Sequence, residues 1–287
     1  MFVTDKLIYI QLHKTGCTHI AHLLSKYIGG QQLKKHSWLQ NYNTTKTIIG
    51  SIRNPWDWYV SLWAFGCKKE GYIYNETTRR YFLFLFLLLS KFRQSLRYKE
   101  PYFDINDLYS HFKNEVRKST KIWQKTYENN TDSKCFRNWL NLINNPKRKI
   151  DFQLGYNECS ISKFAGLMTY RYCTLYLKDF FLPKNFKGIK TLEELKNFDK
   201  KNNLTNYFIK TENLEEDFLN ILEKIGYNLD KATIESIKNS GKTNISSHYN
   251  TGFYYDKETI NFVAEKEKFI IEKFGYSPPK LINKTNE

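Results

Sequence analysis

The sequence predicts an α/β fold with a central, mainly parallel sheet flanked by helices, and three stretches carry that expectation. Residues 7–24, LIYIQLHKTGCTHIAHLL, pass from a short apolar, strand-like run through a polar loop into a helix-like run. Residues 47–63, TIIGSIRNPWDWYVSLW, repeat that order, with Arg53 in the loop and Ser61 in the helix. After Asn202 the alternation returns: Tyr207–Ile209 reads as a third core strand, and Leu214, Phe218, Ile221, Leu222 and Ile225 form a helical stripe.

Taken in order, Leu7–Leu12 is the first expected strand and Thr18–Tyr27 the first helix. Thr47–Ile52 is a second buried strand, and Pro55 opens a helix to about Cys67, proline being well suited to a first helical turn. Helical patterns cover Thr77–Phe92 and Ile105–Arg117, the latter behind Asp104 as an N-cap. The polar stretch Thr126–Lys134 reads as a loop, and Ser162–Phe181, apolar on nearly all faces, as one long buried helix. Near the end, Ile260, Val263, Ala264, Glu267, Ile270, Ile271 and Phe274 share one helix face, which Phe274-Gly275-Tyr276 terminates.

A strand leading into a tight loop and a helix N-terminus makes an anion pocket. Loop N–H groups point inward, the helix dipole favours negative charge, and a lysine adds a full positive charge. The loop His13-Lys14-Thr15-Gly16-Cys17-Thr18 and the loop at Arg53 are two such places, so the expected ligand carries two separated phosphate-like groups. The first loop is not a Walker A motif, because its only glycine follows the lysine. Either loop alone could be an ordinary strand-ending turn, since proline disfavours helix at the residue before it. Their order, flanking patterns and the eight-residue step from Arg53 to Ser61 agree with one another.

In these residues the chain resembles the sulfotransferases that use 3′-phosphoadenosine 5′-phosphosulfate (PAPS). The 5′-phosphosulfate loop of that family reads roughly P/H-K-T/S-G-T/G-T/S, and its 3′-phosphate site reads R-N-P-x-D/E-R-x-x-S. Cys17 stands where Gly or Thr is usual, and Trp58 where a second arginine is common. The resemblance covers both ends of the chain and implies one P-loop-like, three-layer domain over residues 1–287. Its core would be 1–70 and 203–287, with a helical, acceptor-specific insertion over about 71–202.

The resemblance assigns Lys14 to the leaving phosphate and bridging oxygen. It assigns Thr15, Gly16, Cys17 and Thr18 to the 5′-phosphate, through N–H groups and a hydroxyl. Arg53 grips the 3′-phosphate, for which its planar fork suits two oxygens at once, with Ser61 as hydroxyl donor. The segment GKTNISS is similar to a late element that closes over the nucleotide, which puts Lys242, Asn244 and Ser246 among the cofactor-binding residues. His36, in KKHSWL, resembles the acceptor-facing histidine of the polysaccharide sulfotransferases related to heparan 2-O-sulfotransferase and is the expected base. A turn histidine in a polar loop is its plainer reading. Trp56, Trp58, Tyr254 and Tyr255 are the aromatic candidates for holding adenine. No metal is required by this scheme.

Composition bounds the rest. A chain of 287 residues, 41% hydrophobic and 17% aromatic, is long enough for a full core. The formal charge of +16 suits an anionic nucleotide and an anionic acceptor, but the lysines are scattered and form no basic stripe with interleaved aromatics, so no nucleic-acid partner is expected. Five cysteines, none in a CxxC pair, read as free thiols of a reducing cytoplasm. The longest apolar run, Tyr81–Leu89, is about half a membrane span, so a buried helix is expected there and no transmembrane segment. With no leader pattern ahead of the first strand, the chain looks like a soluble bacterial or viral relative. The expected reaction is sulfation of an acceptor hydroxyl, most naturally on a glycan. A P-loop kinase and a non-catalytic basic module for nucleic acid or anionic glycan are the alternatives.

Overall fold

The computed structural model describes residues 1–39, 43–80, 113–151, 155–241 and 248–282. Five strands form one sheet: β1 (Phe2–Val3), β2 (Leu7–Tyr9), β3 (Gln31–Gln32), β4 (Thr47–Ile52) and β5 (Tyr207–Lys210). Their spatial order is β3-β1-β2-β4-β5. β2 runs parallel to β4, with Leu7 opposite Thr47 and Tyr9 opposite Ile49, and β4 runs parallel to β5, with Ile49 opposite Tyr207 and Ile52 opposite Lys210. β1 is antiparallel to both β2 and β3. The sheet is therefore mixed α/β in character, with three parallel strands and an antiparallel two-strand edge.

Residues 48–52 of β4 are all buried, which is why this strand reads as a continuous apolar run and not as an alternation. Along the chain the helices include α1 (Cys17–Leu23), α2 (Pro55–Cys67), α3 (Leu167–Tyr176), α4 (Leu192–Asn202), α5 (Leu214–Lys224), α6 (Lys231–Lys238), α7 (Lys257–Lys266) and α8 (Lys268–Phe274). A π-helical turn, Leu24–Ile28, continues α1. One apolar cluster joins Leu7, Tyr9, Ile49 and Ile209 of the sheet to Ile20 and Leu23 of α1 and to Phe218 and Leu222 of α5. Full burial of a side chain such as Phe218 contributes about 2 kcal/mol. On the other face, the glycine at 50 leaves room for aromatic rings, since a Cβ there would meet Phe208 and Tyr176. Tyr176 of α3 also donates to Ser51 O at 2.8 Å.

The described chain divides into two compact units, Met1–Leu62 with Glu158–Glu287, and Trp63–Asn157. All five strands belong to the first, and residues 158–202 go with them although the sequence groups them with the insertion. In the second unit the core is aromatic: Trp63 Nε1 donates to Thr126 O at 2.7 Å, Trp123 Nε1 to Asp151 Oδ2 at 2.8 Å, and Trp139 Nε1 to Tyr127 OH at 2.6 Å. Each indole thus buries its ring with its N–H satisfied.

Two expected long helices are broken. Over 162–181 the chain leaves a 3₁₀ turn, Ser160–Lys163, and then forms only α3. The break falls at Gly166, whose N–H donates to Lys266 O at 2.7 Å and whose missing Cβ makes room for Glu267 Oε1. The C-terminal helix breaks at Glu267, between α7 and α8, and Gly275 at φ 70° ends α8 as expected. Glu267 is fully buried and its carboxylate accepts from Tyr59 OH (2.5 Å), Met168 N (3.1 Å), Thr169 N (2.9 Å) and Thr169 Oγ1 (2.7 Å). Tertiary hydrogen bonds, not local propensity, set both breaks. The helices expected over 77–92 and 105–117 fall largely outside the described residues, as does the apolar run 81–89.

Candidate functional site

Because β2 and β4 are parallel neighbours, the loops that follow them leave the same edge of the sheet. In open α/β sheets ligands bind outside the carboxyl ends of the strands. The two motifs of the sequence meet there. Arg53 Nη1 donates to Lys14 O at 3.3 Å, and Trp58 Nε1 donates to His13 O at 2.7 Å. Trp58, in the place where a second arginine is common in the resembling family, thus braces the first loop from α2.

The first loop is held from below by its own threonine. Thr15 is fully buried; its hydroxyl donates to Leu12 O at 2.8 Å and lies 2.6 Å from Ser51 Oγ, which in turn lies 2.8 Å from Tyr9 OH. That leaves the exposed Thr18 as the loop's solvent-facing threonine. Lys14 and Gly16 take left-handed conformations, φ 62° and 70°. At 16 the left-handed backbone favours glycine, and a Cβ there would lie 2.5 Å from Leu214 Cδ1, so that the leucine side chain would have to move. Lys14 adopts the same region at a cost of about 1–2 kcal/mol, the kind of strain that collects at functional sites. Cys17 opens α1 with its side chain buried in the apolar cluster, so its extra bulk goes into the core and not into the loop. Burial pushes its thiol pKa up, which makes it a packing group and no nucleophile.

His36 is brought to this loop. Its ring stacks on that of His13, with centroids 3.5 Å apart and planes 17° apart. His36 Nδ1 lies 2.9 Å from the carbonyl of Gln11, so Nδ1 carries the hydrogen and Nε2 the lone pair. His36 also has a left-handed backbone, φ 55°. Burial lowers its pKa, the Gln11 carbonyl pushes it back up, and the charge of Arg171 lowers it further. His13 is held neutral more strongly: burial, then Arg171, His36 and Lys14, bring it down to about 2. Its Nδ1 is buried with no hydrogen-bond partner among the described residues. The two imidazoles thus form a stacked pair in which one buried ring nitrogen has no hydrogen-bond partner among the described residues.

Around Arg53 the charges are mixed. Its guanidinium is half-buried; burial lowers its pKa, and Asp57 and Glu212 raise it. Both carboxylates are engaged elsewhere as well. Asp57 accepts from Thr251 Oγ1, and Glu212 accepts from Asn54 N at 2.7 Å and Tyr276 OH at 3.3 Å. Ser61 lies 1% exposed on α2, well inside the protein. Lys242, Asn244 and Ser246 lie outside the described residues. Of the residues that follow them, His248 is within the electrostatic reach of Arg53, Asp57 and Lys14.

Two findings go beyond the sequence reading. Arg171, on α3, acts electrostatically on both His13 and His36, yet it is embedded in the run LMTYRYCTLY, which reads only as a buried helix. The aromatic candidates for adenine are all in the core: Trp56 and Trp58 are 1% exposed, Tyr254 is 0% and Tyr255 4%. Trp56 Nε1 donates to Ile260 O at 3.2 Å and Tyr255 OH to Trp56 O at 3.0 Å, so these rings serve packing and offer adenine no open face.

Among the described residues no group of His, Cys, Asp and Glu is arranged to hold a metal ion, and no helix is long and apolar enough to cross a membrane. All five cysteines are free. Compared with family models, curated proteins and solved structures, the chain matches none.

Proposed function

We propose that this protein is a PAPS-dependent sulfotransferase of P-loop-like, three-layer architecture that sulfates an acceptor hydroxyl, most naturally on a carbohydrate. The observation that carries this reading is the junction of the two loops, Arg53 Nη1 on Lys14 O, at the carboxyl edge of parallel strands. A ligand spanning both loops meets a lysine at one end and an arginine at the other, which suits a nucleotide phosphorylated at two positions. The donor set fits that ligand: loop N–H groups, an exposed Thr18 hydroxyl, a half-buried guanidinium and the unsatisfied His13 Nδ1.

PAPS supplies a sulfuryl group on a phosphate leaving group. Toward it, Lys14 neutralises charge that grows on the bridging oxygen, the backbone of Thr15, Gly16, Cys17 and Thr18 holds the 5′-phosphate, and Arg53 holds the 3′-phosphate with Ser61 behind it. His36, neutral with its lone pair on Nε2, accepts the proton of the acceptor hydroxyl as the new oxygen–sulfur bond forms. Lys242, Asn244 and Ser246 belong to the proposed nucleotide cover. Five unpaired thiols support a reducing, cytoplasmic setting.

The test is a thermal shift with 3′,5′-ADP beside ATP with magnesium at matched ionic strength. At one hundred times its dissociation constant a ligand stabilises the fold by about 2.7 kcal/mol. A shift with the 3′,5′-bisphosphate alone supports the reading. A shift with ATP and magnesium alone replaces it with a kinase, and no shift with either leaves a basic binding module.

A further inference from the structure

We infer that the surface around Trp38, Phe181 and Leu182 is a peripheral docking face for an anionic lipid bilayer. Such docking is independent of the sulfotransferase reading, since it uses neither phosphate loop.

Two segments far apart in sequence meet on this face, both within the unit that holds the sheet. The ring centroids of Trp38 and Phe181 lie 4.9 Å apart, and Leu182 lines the same groove. The three side chains are 46%, 43% and 45% exposed, whereas the other five tryptophans are at most 1% exposed. Large apolar side chains gathered in the open mark a surface made for contact.

The backbone holds these tips in place. Leu182 N donates to Asp179 O at 3.1 Å, and Asn185 donates from Nδ2 to Asp179 O and from N to Leu182 O, both at 2.8 Å. Phe181 stacks on Phe186 with centroids 6.1 Å apart, and Phe186 O accepts from Ser160 Oγ at 3.0 Å. In the other segment Ser37 Oγ donates to Lys34 O at 2.8 Å and closes the turn just before Trp38. An apolar tip that is already ordered enters an interface without paying to become so.

Charge selects the occupant. Residues 31–38 and 178–187 hold five lysines and a single acid, Asp179. Lys34, Lys35, Lys178, Lys184 and Lys187 are all exposed. At a bilayer, indole and leucine side chains settle at the headgroup level while neighbouring ammonium groups meet anionic headgroups. The net charge of +16 draws the chain to such a surface from a distance. A second copy would bring the same lysines against these and be repelled. Single-stranded nucleic acid would meet the lysines, but Trp38 and Phe181 lean on each other at 48° and leave no slot between them for a base, and Leu182 offers none a stacking face.

The test uses the full chain and vesicles of phosphatidylcholine with and without phosphatidylserine. Tryptophan emission reports on Trp38, because the other indoles are buried. The protein should sediment with the phosphatidylserine vesicles and not with phosphatidylcholine alone, and added salt should weaken the association. Emission should shift to the blue, and lipids brominated on their acyl chains should quench it. The double variant Lys34→Gln, Lys35→Gln should bind about tenfold more weakly. Phe181→Ser should also lose about tenfold.

No association with phosphatidylserine vesicles at low salt, or full affinity in both variants, would overturn the inference. Association without the blue shift or bromine quenching would do the same, since it would be adsorption by overall charge. So would protection of Trp38 from acrylamide by a single-stranded oligonucleotide when vesicles give none, or a dimer that buries Trp38 and that Phe181→Ser disperses. If Phe181→Ser melts abnormally, bromine quenching of the wild type and the lysine variant decide it.

Discussion

The Arg53 guanidinium donates to the carbonyl of Lys14 at 3.3 Å, so a side chain from the β4 loop is tied to the backbone of the β2 loop. The two loops are thus neighbours at the carboxyl edge of the sheet. If Arg53 holds a 3′-phosphate, Arg53→Ala should weaken 3′,5′-ADP about ten- to hundredfold, the range for a lost charge-assisted hydrogen bond. Affinity for 5′-AMP, which has no 3′-phosphate, should move far less. Calorimetric titration of both nucleotides checks this, and equal losses would mean that Arg53 only holds the loop.

Lys14 separates binding from chemistry. Its backbone is left-handed, and under the proposed reading its ammonium meets the charge that develops on the leaving group. Lys14→Ala should lower kcat about 10²–10³-fold, as removal of one preorganised electrostatic stabiliser does. The dissociation constant of 3′,5′-ADP should change much less. Full turnover by this variant, measured with labelled PAPS, would remove Lys14 from the reaction.

How far the sequence reached is clear from particular elements. β4 and α2 match their expected spans, because a continuous apolar run ending before a proline-opened helix leaves few alternatives. β1 and β3 are two residues each and too short for any periodicity to register. The breaks at Gly166 and Glu267 come from hydrogen bonds between segments about a hundred residues apart, which no local pattern contains. At the site, the residue types of both loops were legible, but their contact was not, since it depends on β2 and β4 being parallel neighbours. Arg171 was hidden by the aromatic run around it, and the burial of Trp56, Trp58, Tyr254 and Tyr255 was not legible because an aromatic residue reads alike whether it packs a core or faces a ligand.

The histidine pair predicts a pH profile. Burial and Arg171 hold His36 below the ordinary histidine value of 6.5, so its Nε2 stays unprotonated as the pH falls past 6.5. The acid limb of kcat/KM should therefore lie below pH 6.5, and His36→Ala should abolish that limb and lower the rate about 10²–10⁴-fold. Arg171→Gln removes a charge that depresses this pKa and should move the limb upward. An acid limb at or above 6.5 would place the base elsewhere.

Gly16 gives a stability test of the loop that needs no ligand. At φ 70° an alanine costs about 1–2 kcal/mol for the left-handed backbone alone, and its Cβ would lie 2.5 Å from Leu214 Cδ1. Gly16→Ala should destabilise by about 2 kcal/mol or more in urea. Leu214→Ala relieves the overlap, so the double variant should lose less than the sum of the singles. Strict additivity would mean that only the backbone term counts.

Glu267 links stability to pH at the junction of α3, α7 and α8. Its carboxyl is fully buried and raised to about 6, with burial as the main cause and the hydrogen bonds from Thr169, Tyr59 and Met168 opposing it. The folded protein thus holds this proton more tightly than the unfolded chain, whose glutamate titrates near 4.5. The stabilisation is complete below pH 4.5 and is lost as pH rises through about 6. A shift of that size corresponds to about 2 kcal/mol. Glu267→Gln keeps the shape, removes the titration and leaves other groups as they are. Unfolding free energies of the two proteins between pH 4 and 7.5 should therefore differ by an amount that moves about 2 kcal/mol in favour of the variant as pH rises. A difference that stays constant across that range would show that Glu267 is ionised in both states, held by its four hydrogen bonds against the cost of burial.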